Sequence, residues 1–230
     1  MHALLRLRAY VAGQLQAQFR IAEASAEADE ILRMVDLVGT VAPSEVLASL
    51  ATAALIRETA GDLESSLKIA RRASEIAKSV YGEQSSPYAA SLARIAGALG
   101  KMGRQQERLD ANRSALKIAQ HVYSSGSPAL FTYRYNLGLS LLDSGAVQEA
   151  NESASSLLSE ASRVRDPLTF PIFLYRKLLA ATKYAAGECA LAKTIDEETV
   201  AMFGLVGQLR DSPRLAEIRQ RIDSTSCIAN

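Results

Sequence analysis

Residues 79–87 read SVYGEQSSP and residues 121–128 read HVYSSGSP. Val80 and Tyr81 return as Val122 and Tyr123, an offset of 42 in sequence number. The same step recurs along the chain. Gly61, Gly103, Gly145 and Gly187 form one arithmetic series, and one more step back reaches Phe19. Seven residues before each of these lie Ala12, Ala54, Ala96, Gly138 and Ala180, all small. Five residues after lie Ala24, Ser66, Arg108, Ala150 and Ala192, where Arg108 alone is large. Pro87, Pro171 and Pro213 keep the same beat, with Pro128 one residue early and Pro43 two early. A fixed period of this length is the mark of a repeat architecture, in which stacked supersecondary units share one continuous core.

Each unit contains two segments of helical period. In SPYAASLARIAGALGKM (86–102), Leu92, Ile95, Ala96 and Leu99 recur three and four residues apart, as one helix face requires. RQQERLDANRSALKIAQHVY (104–123) repeats the pattern with Leu109, Leu116, Ile118, Ala119 and Val122 and has a more polar outer face. The series glycine falls between the two, where a left-handed backbone ends a helix without a side-chain clash. The proline opens the next unit, where its missing N–H costs nothing. The small residues let the paired helices approach closely. Helices are expected near 3–18, 21–38, 43–59, 62–81, 86–101, 104–123, 128–143, 146–164, 168–185, 188–206 and 211–224. The last, PRLAEIRQRIDS, is polar apart from Leu215, Ile218 and Ile222 and reads as a cap on the stack.

Composition agrees with a folded chain of balanced charge. Of 230 residues, 48% are hydrophobic, and 26 basic against 25 acidic residues leave a net charge of +1, so no global bias points to nucleic acid or an anionic membrane. No apolar run is long enough to span a bilayer. The N-terminal MHALLRLRAYVAGQLQAQFR has the Arg-rich look of a transit peptide, but Ala12 and Ala24 fall on the repeat beat and place it as the first helix of the first repeat. Cys189 and Cys227 lie far apart in the chain, form no metal-type pair of pairs and are read as two free thiols in a reducing, cytoplasmic setting.

Catalytic constellations are missing from the sequence. The two histidines are His2 and His121, and His121 sits at a helix end, where a cation suits the dipole. No HExxH, GxGxxG, GxxxxGK[ST] or GxSxG occurs. GALGKMG (97–103) is explained by the third repeat, and neighbouring acids such as Glu197–Glu198 or Asp29–Glu30 point to different sides of a helix. The expectation is a protein without enzymatic activity, cofactor or metal.

A small residue in the first helix, a turn glycine and a small residue early in the second, as in GAVQEANESASSLL (145–158), resemble the tetratricopeptide repeat (TPR). The length of the period and the SVYGEQSSP and HVYSSGSP connectors resemble its kinesin-light-chain-like branch. The resemblance covers about residues 3–206 and departs from the pattern at Phe19, at Arg108 and in the connector RVRDPLTFP (163–171). It implies an all-α fold: a right-handed superhelix forming one repeat domain over 1–230, with units near 1–42, 43–84, 85–126, 127–168 and 169–210 and a capping helix at 211–224.

The resemblance further implies that the first helices line a concave face that holds a peptide or partner protein. Carried over by register, the lining residues are Tyr10 and Gln16, Thr52 and Glu58, Arg94 and Lys101, Tyr135, Asn136 and Asp143, and Lys177 and Tyr184. Asn136 falls where such repeats often bind peptide backbone, an amide being both donor and acceptor. Arg94, Lys101 and Lys177 are candidates for a positive patch meeting a carboxylate or acidic peptide. Phe131 with Phe173 and Tyr133 with Tyr175 are each one period apart, which favours core over binding surface. The functional expectation is an adaptor, scaffold or regulatory subunit. The alternative is a structural subunit of a larger assembly that works through its ends or convex face, for instance beside a separate protease or kinase.

Overall fold

A computed structural model describes residues 2–38, 42–204, 206, 210 and 212–224. The described residues form eleven α-helices and no strand. They fall into two compact units, Met1–Tyr123 and Ser124–Asn230. The first holds α1 (His2–Ala17), α2 (Ile21–Val38), α3 (Pro43–Thr59), α4 (Leu63–Tyr81), α5 (Ser86–Lys101) and α6 (Gln105–Val122). The second holds α7 (Pro128–Asp143), α8 (Val147–Val164), α9 (Phe170–Ala185), α10 (Cys189–Phe203) and α11 (Pro213–Ser224). Helices α1, α3, α5, α7 and α9 are the first helices of the repeats. Each packs on the helix after it, neighbouring hairpins stack within each unit, and α11 packs on α10.

The turns follow the sequence logic. Gly61, Gly103, Gly145 and Gly187 all have positive φ, between 74° and 82°. Phe19 takes the same left-handed turn at φ 59°, as the one non-glycine residue with positive φ among the described residues. The first unit has therefore kept the turn while losing the glycine. At the other ends, the Ser85 and Ser127 hydroxyls accept from the N–H groups of Tyr88 and Leu130, and Asp62 accepts from that of Ser65.

Each unit has its own core. Leu5, Ile31, Val46, Leu50 and Ile56 are fully buried in the first. Phe131, Leu157, Phe173, Phe203, Leu215 and Ile218 are fully buried in the second, with Phe173 and Phe203 edge-on at 5.3 Å. The aromatic pairs that repeat at one period are core, as expected: Tyr133 is 8% exposed and Tyr175 4%. The α11 residues Leu215 and Ile218 are buried, and Ile222 packs beside them.

The small-residue positions are buried, and two show why. A Cβ on Gly138 would lie 2.8 Å from Leu178 Cδ2, so the tip of the Leu178 side chain from α9 fills the space that glycine leaves on α7. Arg108 breaks the series in the third repeat, and the compensation is across the hairpin. A Cβ on Gly100 would lie 2.8 Å from Arg108 Cδ, so the arginine lies in the space above that glycine. The residues in register with Gly100 are Gln16, Glu58, Leu142 and Tyr184, all large, and those in register with Arg108 are Ala24, Ser66, Ala150 and Ala192, all small. Repeat 3 has exchanged large and small between its two helices.

One sequence expectation is corrected. Cys189, at the start of α10, is disulfide-bonded and not a free thiol. The sequence hid this because two lone cysteines, widely separated in a chain of this size, match no familiar disulfide framework. Cys227 lies outside the described residues.

Candidate binding face on the first helices

Three clefts open along the first helices, two in the first unit and one in the second. The first, about 380 Å³, runs between α1 and α3 and is lined by Arg6, Ala9, Tyr10, Ala48 and Thr52, among others. The next, about 130 Å³, is lined by Leu47, Ala51, Ala90, Ser91 and Arg94, with Ala73 from α4. The third, about 380 Å³, lies between α7, α9 and α11. Its lining includes Tyr135, Leu139, Phe170, Leu174, Lys177 and Leu178.

The repeat register unifies them. Positions 6, 48, 90 and 174 are equivalent, as are 9, 51, 135 and 177, and 10, 52, 94 and 178. Each named position lines one of the three clefts. Spacings of three and four residues put these sets on one helix face. Each unit thus presents a strip built from the same register. In the first unit the middle position is alanine (Ala9, Ala51); in the second it is Tyr135 and Lys177. At this middle position the second unit therefore has the larger and more polar side chains, whereas at the flanking positions it has Leu174 and Leu178 against Arg6, Tyr10, Thr52 and Arg94 in the first.

The expected site residues are placed as follows. Thr52 is half-buried at the first cleft, its hydroxyl donating to the Ala48 carbonyl at 3.2 Å. Arg94 is half-buried at the second and makes no hydrogen bond or ion pair among the described residues. Burial pushes its guanidinium below the ordinary value, and nearby Glu58 opposes that. Lys101 is exposed and paired with Glu58 at 2.8 Å. Tyr135 lines the third cleft, its ring 5.7 Å from that of Tyr175. Asn136 is half-buried, and its backbone carbonyl accepts from Ser140. Lys177 reaches Glu217 of α11 at 2.5 Å, and this contact holds the Glu217 carboxyl below its usual range. Tyr184 lies outside the cleft lining, under Arg221, 5.2 Å above its ring. Burial, then the charge of Asp196, pushes its hydroxyl up; that oxygen is enclosed and, despite Asp196 close by, makes no well-formed hydrogen bond.

The three cations expected to form one positive patch do not share one environment. Arg94 and Lys101 both answer to Glu58 in the first unit, and Lys177 is paired in the second. Two of the three are already neutralised within the chain.

Sequence reasoning missed the contribution of α11, which it read as a polar cap. Arg214 stands 4.9 Å over the Phe170 ring, and Arg221 forms a two-pronged pair with Asp196, at 2.6 and 2.8 Å. Both line the third cleft. The register held a signal: one period back from Arg214 and Arg221 lie Ile172 and Leu179, so α11 carries charge where α9 is apolar.

No family model and no curated protein matches the sequence. Solved structures do. A variant of the putative kinesin light chain from Podosopora anserina, with nearly identical TPR-like repeats, superposes at TM-score 0.79. It is 17% identical, covering 90% of this chain and 98% of that one. The chain has a TPR-like repeat fold. BtubC (BKLC) from P. vanneervenii shares it at TM-score 0.74 and 16% identity, over 100% of this chain and 85% of that one. A Rap protein complexed with Competence and Sporulation Factor superposes at TM-score 0.61 and 12% identity, over 96% of this chain and 70% of that one. The shared register of the three clefts is in keeping with a TPR-like repeat within each unit.

Proposed function

We propose that this chain is a non-enzymatic protein-interaction module that holds a peptide segment of a partner on the face formed by its first helices. That face is the one the TPR resemblance makes concave. In this role the protein is an adaptor, scaffold or regulatory subunit. The observation that carries the reading is the cleft between α7, α9 and α11. Leu139, Leu174 and Leu178 line it with apolar groups and Tyr135 and Phe170 with aromatic ones, while Arg214, over the Phe170 ring, makes no ion pair among the described residues and Lys177 and Arg221 are already paired with Glu217 and Asp196. Apolar lining with a few convergent polar groups is the common form of a recognition site, and aromatic and arginine side chains carry most binding energy in interfaces. The cleft suits a segment with an apolar side chain flanked by a carboxylate. A neighbour of the same fold, the Rap protein, is complexed with Competence and Sporulation Factor, which is in keeping with this use of the fold.

The described residues contain no helix long and apolar enough to cross a membrane and no cluster of potential metal ligands. The disulfide at Cys189 favours an oxidising setting over the cytoplasmic one that two free thiols would support.

Selection of a random peptide library on the chain tests the reading. Enriched peptides should carry an acidic residue next to a large apolar one. Their binding should fall at least roughly tenfold on Tyr135→Ala, with the helical signal unchanged. Enriched peptides indifferent to Tyr135→Ala, Lys177→Ala and Arg214→Ala would overturn it.

A further inference from the structure

α11 follows α9 step for step. Arg214 stands over the Phe170 ring at 4.9 Å, Glu217 meets Lys177 at 2.5 Å, and Arg221 stands over the Tyr184 ring at 5.2 Å. The contacts rise together along both helices, so α11 runs in the direction of α9. Against α10 the order is reversed. A Cβ on Gly204, just past α10, would lie 3.8 Å from the Arg219 guanidinium, whereas Arg221 pairs with Asp196 in the middle of that helix. Both sets of contacts aim the Ser224 end of α11 at the turn between α9 and α10. Cys189 opens α10 at that turn, half-buried and disulfide-bonded. Little else holds α11. Of its 12 residues only Leu215 and Ile218 are buried, and a helix of that length is marginal by itself.

We infer that the Cys189 disulfide runs to Cys227 of the same chain and latches α11 to the α9–α10 hairpin, so that its reduction releases the helix. The chain has two cysteines, and Cys227 stands three residues past Ser224. From Asp196 back to Cys189 is about 10 Å of helix. From Arg221 forward, α11 covers roughly 4.5 Å of that by Ser224, and three further residues span up to about 10 Å. The reach is ample. The bond closes a loop that holds α10 and α11 whole, and such a constraint favours the docked helix over the released one. Opening it takes a dithiol reductant. A thiolate of the reductant attacks one sulfur and the S–S bond breaks. Two electrons and two protons leave Cys189 and Cys227 as thiols, while the dithiol closes to its own disulfide. The latch bears on the cleft of the second unit, because Arg214 and Arg221 of α11 line it. Its effect on peptide binding rests on the function proposed above; the latch itself does not.

Digestion without reductant, read by mass spectrometry, tests the pairing. It should recover peptides joined through Cys189 and Cys227 from chains that run at single-chain mass in a non-reducing gel. Hydrogen exchange of the intact chain then reads the latch. Amides of α11 should exchange at least roughly tenfold faster with dithiothreitol than without, while the helices of the first unit keep their rates. Without reductant, Cys189→Ser, Cys227→Ser and the double variant should each match the reduced parent, because each removes the same bond. Cys189 joined to a second chain, or α11 exchange indifferent to reduction and to Cys227→Ser, would overturn the inference. Accelerated exchange supports the latch whether or not a selected peptide loses affinity on reduction. A peptide that binds both forms alike would count against the peptide reading of the cleft alone.

Discussion

Replacing Phe19 with glycine should stabilise the first unit. Phe19 holds φ at 59°, where four register-equivalent turns use glycine at 74° to 82°. A side chain with a Cβ costs roughly 1–2 kcal/mol in the left-handed region. Glycine returns about 0.5–1 kcal/mol of that through the greater freedom of the unfolded chain. The Phe19 ring is 87% exposed, so its removal gives up little packing. The balance is a gain of about 0.5–1 kcal/mol. Urea unfolding followed by far-ultraviolet circular dichroism reads this as a midpoint raised by roughly 0.3–0.5 M at an ordinary denaturant slope. Two controls isolate the backbone. Phe19→Ala keeps the Cβ and should move the midpoint little. Gly61→Ala, at φ 82° with nothing within 4 Å of the added carbon, meets no neighbour and should lose about 1 kcal/mol through conformation alone. An unchanged or lower midpoint in Phe19→Gly refutes the reasoning. So does an equal gain in Phe19→Ala, which would trace the effect to the exposed ring.

Further outcomes follow from the same geometry. Gly100→Glu meets only the outer, movable part of the partly exposed Arg108 side chain and offers it a carboxylate, so it should change the stability of the third repeat by less than about 1 kcal/mol, and a double-mutant cycle with Arg108→Ser should show a coupling of no more than about 1 kcal/mol. Arg221→Ala strands the fully buried Asp196 carboxylate and should cost about 3 kcal/mol in urea unfolding, whereas Glu217→Ala, which removes an exposed partner of Lys177, should change the midpoint little. Asp62→Ala removes a cap and should cost about 1 kcal/mol at neutral pH. The Ser65 hydrogen bonds hold the Asp62 carboxyl below its ordinary 3.8, so its contribution is full above that value and fades as pH falls below it. Midpoints of variant and parent should converge in that acid range. Iodoacetamide labelling without reductant should leave Cys189 unmodified and label it after reduction; labelling without reduction would refute the disulfide.

The period carried most of the fold. Once Gly61, Gly103, Gly145 and Gly187 set the beat, turns, paired small residues and helix starts followed from steric rules, and the observed helices keep to them. What the period could not give was any feature where one repeat solves a packing problem differently. Arg108 looked like a departure because its compensation, Gly100, lies on the other helix of the hairpin. Phe19 looked like a lost turn because exposure lets the chain bear a modest strain. On the candidate face, Tyr135 and Lys177 were legible from register, but the partners of Lys177 and Lys101 were not. Glu217 and Glu58 each lie close to one period away from those lysines, and only the stacking of hairpins brings them together.

The same reasoning separates core from surface in a way hydrophobicity alone does not. Chemistry that recurs at one period, as in Phe131 with Phe173 and Tyr133 with Tyr175, is buried, because equivalent positions face equivalent neighbours. Chemistry that breaks the period needs a local cause. At Arg108 the cause is Gly100. At Arg214, Glu217 and Arg221 it is the end of the stack, where polar contacts to α9 and α10 replace an apolar seam. At Tyr135 and Lys177, in register with Ala9 and Ala51, the causes are Tyr175, whose ring lies 5.7 Å from that of Tyr135, and Glu217, which pairs with Lys177. Both groups also line the open cleft, so a ligand there would meet side chains already held in place by their neighbours.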